Sequence, residues 1–236
     1  MTGADQAFAG LALDYERTVE REVTHFLGIS YAGLIQQIEN LVPIRENDLV
    51  LDVATATALI PLSLAGRLAP GGQAVGLDIT PAMLQQAREN CLHAGSPHSV
   101  SLVCGTGLVL PFARNTFDVV TCVFGTHHMN VPGLLAEMRR VVKAGGNVLL
   151  AEAAAPPLWR ARWAKPLLRC LSVAYAAAKP GARARAEVQA LPNIHTAGEW
   201  GTLLASAGFI ADRLVEFPPR RPWYPQGLLV TGVAAP

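Results

Sequence analysis

Two adjacent histidines, His127 and His128, sit in "FGTHHMN" (124–130), directly after the apolar run "FDVVTCVF". An imidazole titrates near neutrality, so a histidine at the end of a strand could remove a proton from a phenol, an enol or a hydroxyl. The plainer alternative is that neighbouring histidines diverge, one bonding the loop backbone and the other packing. Two carboxylates stand at similar places. Asp52 lies in "LDVATATALI" (51–60), and Asp78 closes "QAVGLD", 26 positions later. That spacing suits an acidic side chain at the end of a second strand that accepts hydrogen bonds from ribose hydroxyls. Asp78 could instead cap the helix that begins near Pro81, and Asp52 could be a buried carboxylate bonding loop amides. Between them Ala54, Thr55, Ala56, Thr57 and Ala58 form a turn of small residues. Such a turn lets backbone N–H groups approach a ligand, and the helix after it favours an anionic group at its N-terminus.

These residues need elements to hold them. From Asn47 onward short apolar runs alternate with helical patterns: strand "DLVLDVA", helix "LIPLSLAGRL", strand "QAVGLDI", helix "TPAMLQQARENCLHAG", then strands "SVSLVC" and "FDVVTCVF", helix "PGLLAEMRRVVK", turn "AGG" and strand "NVLLAEA". Thr80 is placed to be an N-cap with Pro81 in the first helical position, and Gly95 and Gly208 are placed to stop helices. Strands alternating with helices imply right-handed crossovers and a parallel sheet covered on both faces. "FIADRLVEF" and "GLLVTGVAA" read as a closing antiparallel hairpin. The expected architecture is an α/β, Rossmann-like, doubly wound sheet of seven strands. An N-terminal helical cap spans 1–42, the core 43–155, a helical cap insertion 156–196, and a helix and hairpin over 197–236 complete the core. Within the insertion a long helix is expected from Leu158 to about Ala178, rich in alanine and arginine. His195 is either a lid residue or a polar group of its loop.

Composition narrows the partners. The 236 residues carry 51% hydrophobic content and a net charge of +1, enough for one sizeable core and too neutral for a field that draws in nucleic acid. No apolar run reaches the ~18 residues that span a bilayer. The first residues lack the basic and apolar regions of a secretion signal. Cys91, Cys104, Cys122 and Cys170 are widely spaced, with no CxxC pair and no metal-ligand spacing, so free thiols in the cytoplasm and no metal site are expected. "GTGLVLPF" contains G-x-G after the third strand and not the first, which rules out a dinucleotide fingerprint. No P-loop, G-x-S-x-G or HExxH motif is present.

Five segments in order, "LDVATATA" (51–58), "GLDITPAML" (76–84), "GTGLVLPF" (105–112), "FDVVTCVFG" (117–125) and "EMRRVVKAGG" (137–146), resemble the class I S-adenosylmethionine-dependent methyltransferases. The likeness is nearest to the ubiquinone and menaquinone biosynthesis branch and covers roughly 45–155, with a weaker echo in "FAGLALDYE" (8–16) and "AGF" (207–209). It implies methyl transfer from S-adenosylmethionine to a small hydrophobic acceptor, a quinone, aromatic or polyketide-like molecule. The cofactor would lie along Asp52, Ala54, Thr55, Ala56, Thr57, Ala58, Asp78, Ile79, Met83, Thr106, Gly107, Leu108 and Val123, with Asp52 near its ammonium end. Tyr15, Phe124 and His127 would line the acceptor pocket, and His127 or His128 would supply any base. The sequence departs from the branch at Ala56 and Ala58, where glycine is usual, at Thr106, where Asp or Asn is usual, and at Val123, often serine. If those alanines sit at positive φ, cofactor binding is weakened or lost. The alternatives are therefore a cyclase or isomerase on the same fold, or a non-catalytic binding protein. Both monomer and homodimer fit the sequence.

Overall fold

The computed structural model describes residues 8–95, 100–164, 166–168, 170, 174, 177 and 182–236. One sheet of seven strands organises it: β1 (Leu49–Val53), β2 (Gln73–Asp78), β3 (Val100–Cys104), β4 (Phe117–Val123), β5 (Val142–Ala154), β6 (Phe209–Phe217) and β7 (Gln226–Ala234). Their order is β3-β2-β1-β4-β5-β7-β6. β1 to β5 pair in parallel, and β7 runs antiparallel to both its neighbours. This is the doubly wound sheet with a closing hairpin that the strand and helix alternation implies.

The central strands are mostly apolar because both faces are covered. On one face Leu51, Val53, Val120 and Cys122 pack with Leu134, Leu135 and Met138 of α5 (Val131–Val141) and with Trp200 and Leu204 of α7 (Ala197–Ser206). On the other, Val50, Val119, Val123 and Leu149 meet Val19, Val23 and Leu27 of α1 (Tyr15–Leu27), Leu34 and Ile38 of α2 (Tyr31–Leu41), and Ile60 and Leu64 of α3 (Leu59–Ala65). Residues 50 and 51, and 119 and 120, thus point to opposite layers, as the strand period requires. The N-terminal helices therefore form one of the two layers flanking the sheet.

Details differ from the sequence expectations. Thr80 is the N-cap residue of α4 (Pro81–His93) with Pro81 in its first turn, but its side chain makes no capping bond. The carboxylate of Asp78 takes the Thr80 amide at 2.8 Å instead. The "AGG" turn is absorbed into β5, where Gly145 has φ 72 and the register against β4 shifts. Glycine at 146 permits the close approach of the strands there, since a Cβ on it would stand 2.8 Å from the Asp118 carbonyl oxygen. Pro157–Arg160, at the start of the expected long helix, is a 3-10 turn; farther on Ala164, Pro166, Leu167, Leu168, Cys170, Ala174 and Ala177 are helical, and the positions between them lie outside the described residues. A short helix that composition did not announce, α6 (Ala182–Ala190), follows "KPG".

Candidate functional site

The strand order reverses between β1 and β4, and ligands of open α/β sheets bind beyond the strand ends at such a place. Loops from β1, β2, β3 and β4 meet there around a cavity of about 270 Å³. Its walls are mostly apolar, from Phe8, Leu77, Ile79, Met83, Leu108, Phe124 and Met129, with Tyr15, Asp78, Thr106 and His128 as the polar side chains of interest. The segment before α1 closes one side, Ala12 packing with Ala56 and Met83.

The β1 loop is wound tightly. Ala54, Ala56 and Ala58 have φ of 59, 48 and 63, and Phe124, on the neighbouring loop, has φ 53. A side chain at left-handed φ is strained. Of the five such non-glycine residues among those described, four lie on these two adjoining loops. The amides explain how the shape is held. Thr55 N donates to the Leu77 carbonyl (3.0 Å), Ala58 N to the Thr55 carbonyl (2.9 Å), and Ala56 N to Asp78 Oδ2 (2.9 Å). Two glycines make room. A Cβ on Gly76 would lie 2.9 Å from the Thr55 side chain, and one on Gly125 would lie 2.6 Å from the Ala54 Cβ.

Asp78 sits at the end of β2 and is buried, with both oxygens accepting loop amides. Of the other expected cofactor residues, Ala54, Ala56, Ile79, Met83, Thr106, Gly107, Leu108 and Val123 line the cavity. Thr106 turns its hydroxyl to the Leu108 amide (3.2 Å). Gly107 has a packing reason as well, since a Cβ there would lie 2.8 Å from Val53. Asp52, Thr55, Thr57 and Ala58 are buried behind the wall. Asp52 faces Thr121 on β4, whose hydroxyl donates to Asp52 Oδ1 at 2.6 Å. Burial pushes its carboxyl up to about 7, the Thr121 hydroxyl opposing and the charge of Asp78 adding to the rise.

The histidine loop is anchored from several elements. His127 and His128 occupy a 3-10 turn (Thr126–His128), and Asn130 ends the loop by capping α5 through the Gly133 amide (2.8 Å). Glu152, fully buried on β5, accepts from the Thr126 amide (3.0 Å) and lies 3.1 Å from His127 Nδ1. A carboxylate can only accept, so that ring nitrogen donates. Asn193 Nδ2 holds the carbonyls of His127 (3.1 Å) and Met129 (3.2 Å). Burial opposes a charge on His127, but the hydrogen bond and charge of Glu152 outweigh it and its pKa is raised. His128 faces the cavity with its ring edge-on to Phe8 (5.0 Å) and is pushed down to about 3 by burial, then by the charges of His127 and Arg183. A neutral imidazole of that kind orients a hydroxyl by hydrogen bonding and takes up little proton at pH 7. His127 does not line the cavity. Tyr15 and Phe124 do, and burial, followed by the charge of Asp78, raises the Tyr15 phenol. His195 stands aside, its ring edge-on to Trp200 at 5.5 Å.

Several contributors lie outside the segments that the sequence points to: Leu77, Glu152 and Asn193, with Phe8 only in the weaker echo. Glu152 carried a signal, a lone charge inside the apolar run "NVLLAEA". The others are ordinary residues until the fold places them.

Residues 50–146 match the family model described as a methyltransferase domain. A demethylmenaquinone methyltransferase from Anoxybacillus flavithermus is 40% identical over 118 residues, 49% of this chain and 48% of that protein. Another from Symbiobacterium thermophilum is 37% identical over 115 residues, 48% of this chain and 45% of that protein. The chain thus spans about half the length of the curated relatives it matches. A putative methyltransferase from Bacillus halodurans superposes with a TM-score of 0.68 at 19% identity, covering 86% of this chain and 99% of that one. This likeness carries the fold alone. No helix among the described residues is long and apolar enough to cross a membrane.

Proposed function

We propose that this chain, whose residues 50–146 match a methyltransferase domain, is a class I S-adenosylmethionine-dependent enzyme that methylates a small hydrophobic acceptor. The observation that carries the reading is the cavity at the β1/β4 reversal, which gathers Ala54, Ala56, Asp78, Thr106 and His128 into one space. The residues fit the cofactor: Asp78 brings an acidic side chain at the end of β2 to the cavity wall, at the place that suits ribose recognition, and Ile79, Met83 and Leu108 offer apolar walls for a base. When bound, S-adenosylmethionine supplies an electrophilic methyl group on sulfur. The chain's own part is to orient the acceptor and exclude water, with Tyr15, Phe124 and Met129 as walls and the neutral His128 as a hydrogen-bond partner. The acceptor we favour is a quinol or a related aromatic, in keeping with the apolar walls and with the names of the relatives. A cytoplasmic setting fits the free thiols Cys91, Cys104, Cys122 and Cys170.

A second reading rests on the β1 loop. Three alanines at positive φ, with the Thr55, Ala56 and Ala58 amides donating within the protein, also suit a cavity that no longer uses the cofactor and serves a cyclisation or isomerisation. Incubation with methyl-labelled S-adenosylmethionine and a panel of reduced naphthoquinones and phenols separates the two. Label in the extracted acceptor supports methyl transfer. Absence of label from every acceptor, with no cofactor bound, favours the second reading.

A further inference from the structure

His127 and His128, on the loop after β4, face Glu187 of α6 across the protein. One ligand atom from each of the three lies within 4.8 Å of the others. We propose that these residues bind one divalent first-row transition ion of the zinc class at the edge of the cavity, whether or not the cavity holds a ligand.

Two imidazoles and a carboxylate form a donor set that suits zinc, iron, cobalt or manganese; magnesium prefers an all-oxygen shell. Ligand bonds of about 2.0–2.2 Å put donor atoms of one ion roughly 3–4 Å apart, so a rotamer adjustment of Glu187 closes the site. The tautomer is already set. His127 Nδ1 donates to Glu152 Oε2, which leaves Nε2 with its lone pair for the metal, the arrangement by which outer carboxylates orient metal-bound histidines. The loop is also fixed from behind by Glu152 on the Thr126 amide and Asn193 on two carbonyls. Glu187 holds a loose ion pair, 3.8 Å from Arg183 Nε, and feels the charge of His127, while Arg183 makes its close contacts (2.7 and 2.8 Å) with Glu22. Withdrawing Glu187 to a metal therefore leaves Arg183 paired. Three protein ligands leave coordination positions open, as in catalytic rather than structural sites. His128 also lines the cavity, so an anionic oxygen held there, a phenolate or enolate, is the class of ligand that could complete the shell.

The test is equilibrium dialysis of the full chain, free of any histidine tag, against cobalt and zinc chlorides with excess magnesium present. One equivalent bound at micromolar free metal is expected, with a cobalt spectrum lacking thiolate charge transfer. Glu187→Gln should weaken binding at least tenfold while leaving circular dichroism unchanged, and Glu152→Gln, a positioning change, should weaken it by about 10–100-fold. No binding to the native chain overturns the proposal. So does binding that Glu187→Gln and His127→Gln leave intact, or a thiolate band, since the ion would then sit elsewhere.

Discussion

Replacing Ala56 with glycine should not behave as alanine to glycine usually does. Ala56 has φ 48, and an L side chain in that region costs about 1–2 kcal/mol. Glycine removes this strain but loosens the unfolded chain, which costs about 0.4–1 kcal/mol. The Ala56 Cβ borders the cavity on one side and packs on Ala12 and Met83 on the other, so part of the about 0.8 kcal/mol of a buried methyl is lost with it. Relief wins by roughly half a kcal/mol, given those ranges. At Ala58, φ 63, the same relief is offset because the residue is fully buried away from the cavity, and a buried methyl contributes about 0.8 kcal/mol. Ala136, exposed in the middle of α5, is the reference, where glycine should cost about 0.5–1 kcal/mol. For a chain of this size each kcal/mol moves the midpoint by about 2–4 °C. Thermal unfolding followed by circular dichroism should therefore rank Ala56→Gly above the native chain, Ala58→Gly level with it and Ala136→Gly below. If Ala56→Gly falls as far as Ala136→Gly, the loop stores no strain at that alanine and the reasoning fails.

Two further outcomes follow from the carboxylates. The Asp52 carboxyl, raised by burial to about 7, favours the protonated form in the folded state, so its contribution is complete below the unfolded value near 3.9 and fades as pH rises through about 7. Asp52→Asn should flatten that dependence and gain stability over the native chain at pH 8, read as denaturation midpoints from pH 5 to pH 8; an unchanged slope would contradict it. Asp78→Asn keeps one acceptor oxygen of the two that hold Ala56 N and Thr80 N, and it removes the charge facing the cavity. A hydrogen bond to a charged group contributes about 1.5–3 kcal/mol, so affinity for S-adenosylhomocysteine should fall by roughly 10–100-fold, and an unaltered titration would exclude Asp78 from the site.

Much of the sheet was readable because β1, β2 and β4 are short apolar runs ending in recognisable turns, and a chain buried on both faces leaves that mark in its composition. The cavity wall followed from it: Asp78, Thr106 and Phe124 each stand at or just beyond a strand end. What spacing does not carry is direction. Asp52 and Asp78 look alike in sequence, yet Asp52 turns toward Thr121 on β4 and leaves the cavity. The strain at Ala54, Ala56 and Ala58 was equally hidden, because residue type does not reveal φ. The encounter of Glu187 with His127 and His128 depends on α6 folding back across the end of the sheet, which no local pattern announces.

Methyl transfer by this chain requires the cavity at the β1/β4 reversal to be a working cofactor site. Isothermal titration of the native chain with S-adenosylhomocysteine should show one site of micromolar affinity, tightened in Ala56→Gly. No heat with the native chain, but binding restored by Ala56→Gly with Ala58→Gly, would contradict it and show a loop closed against the cofactor.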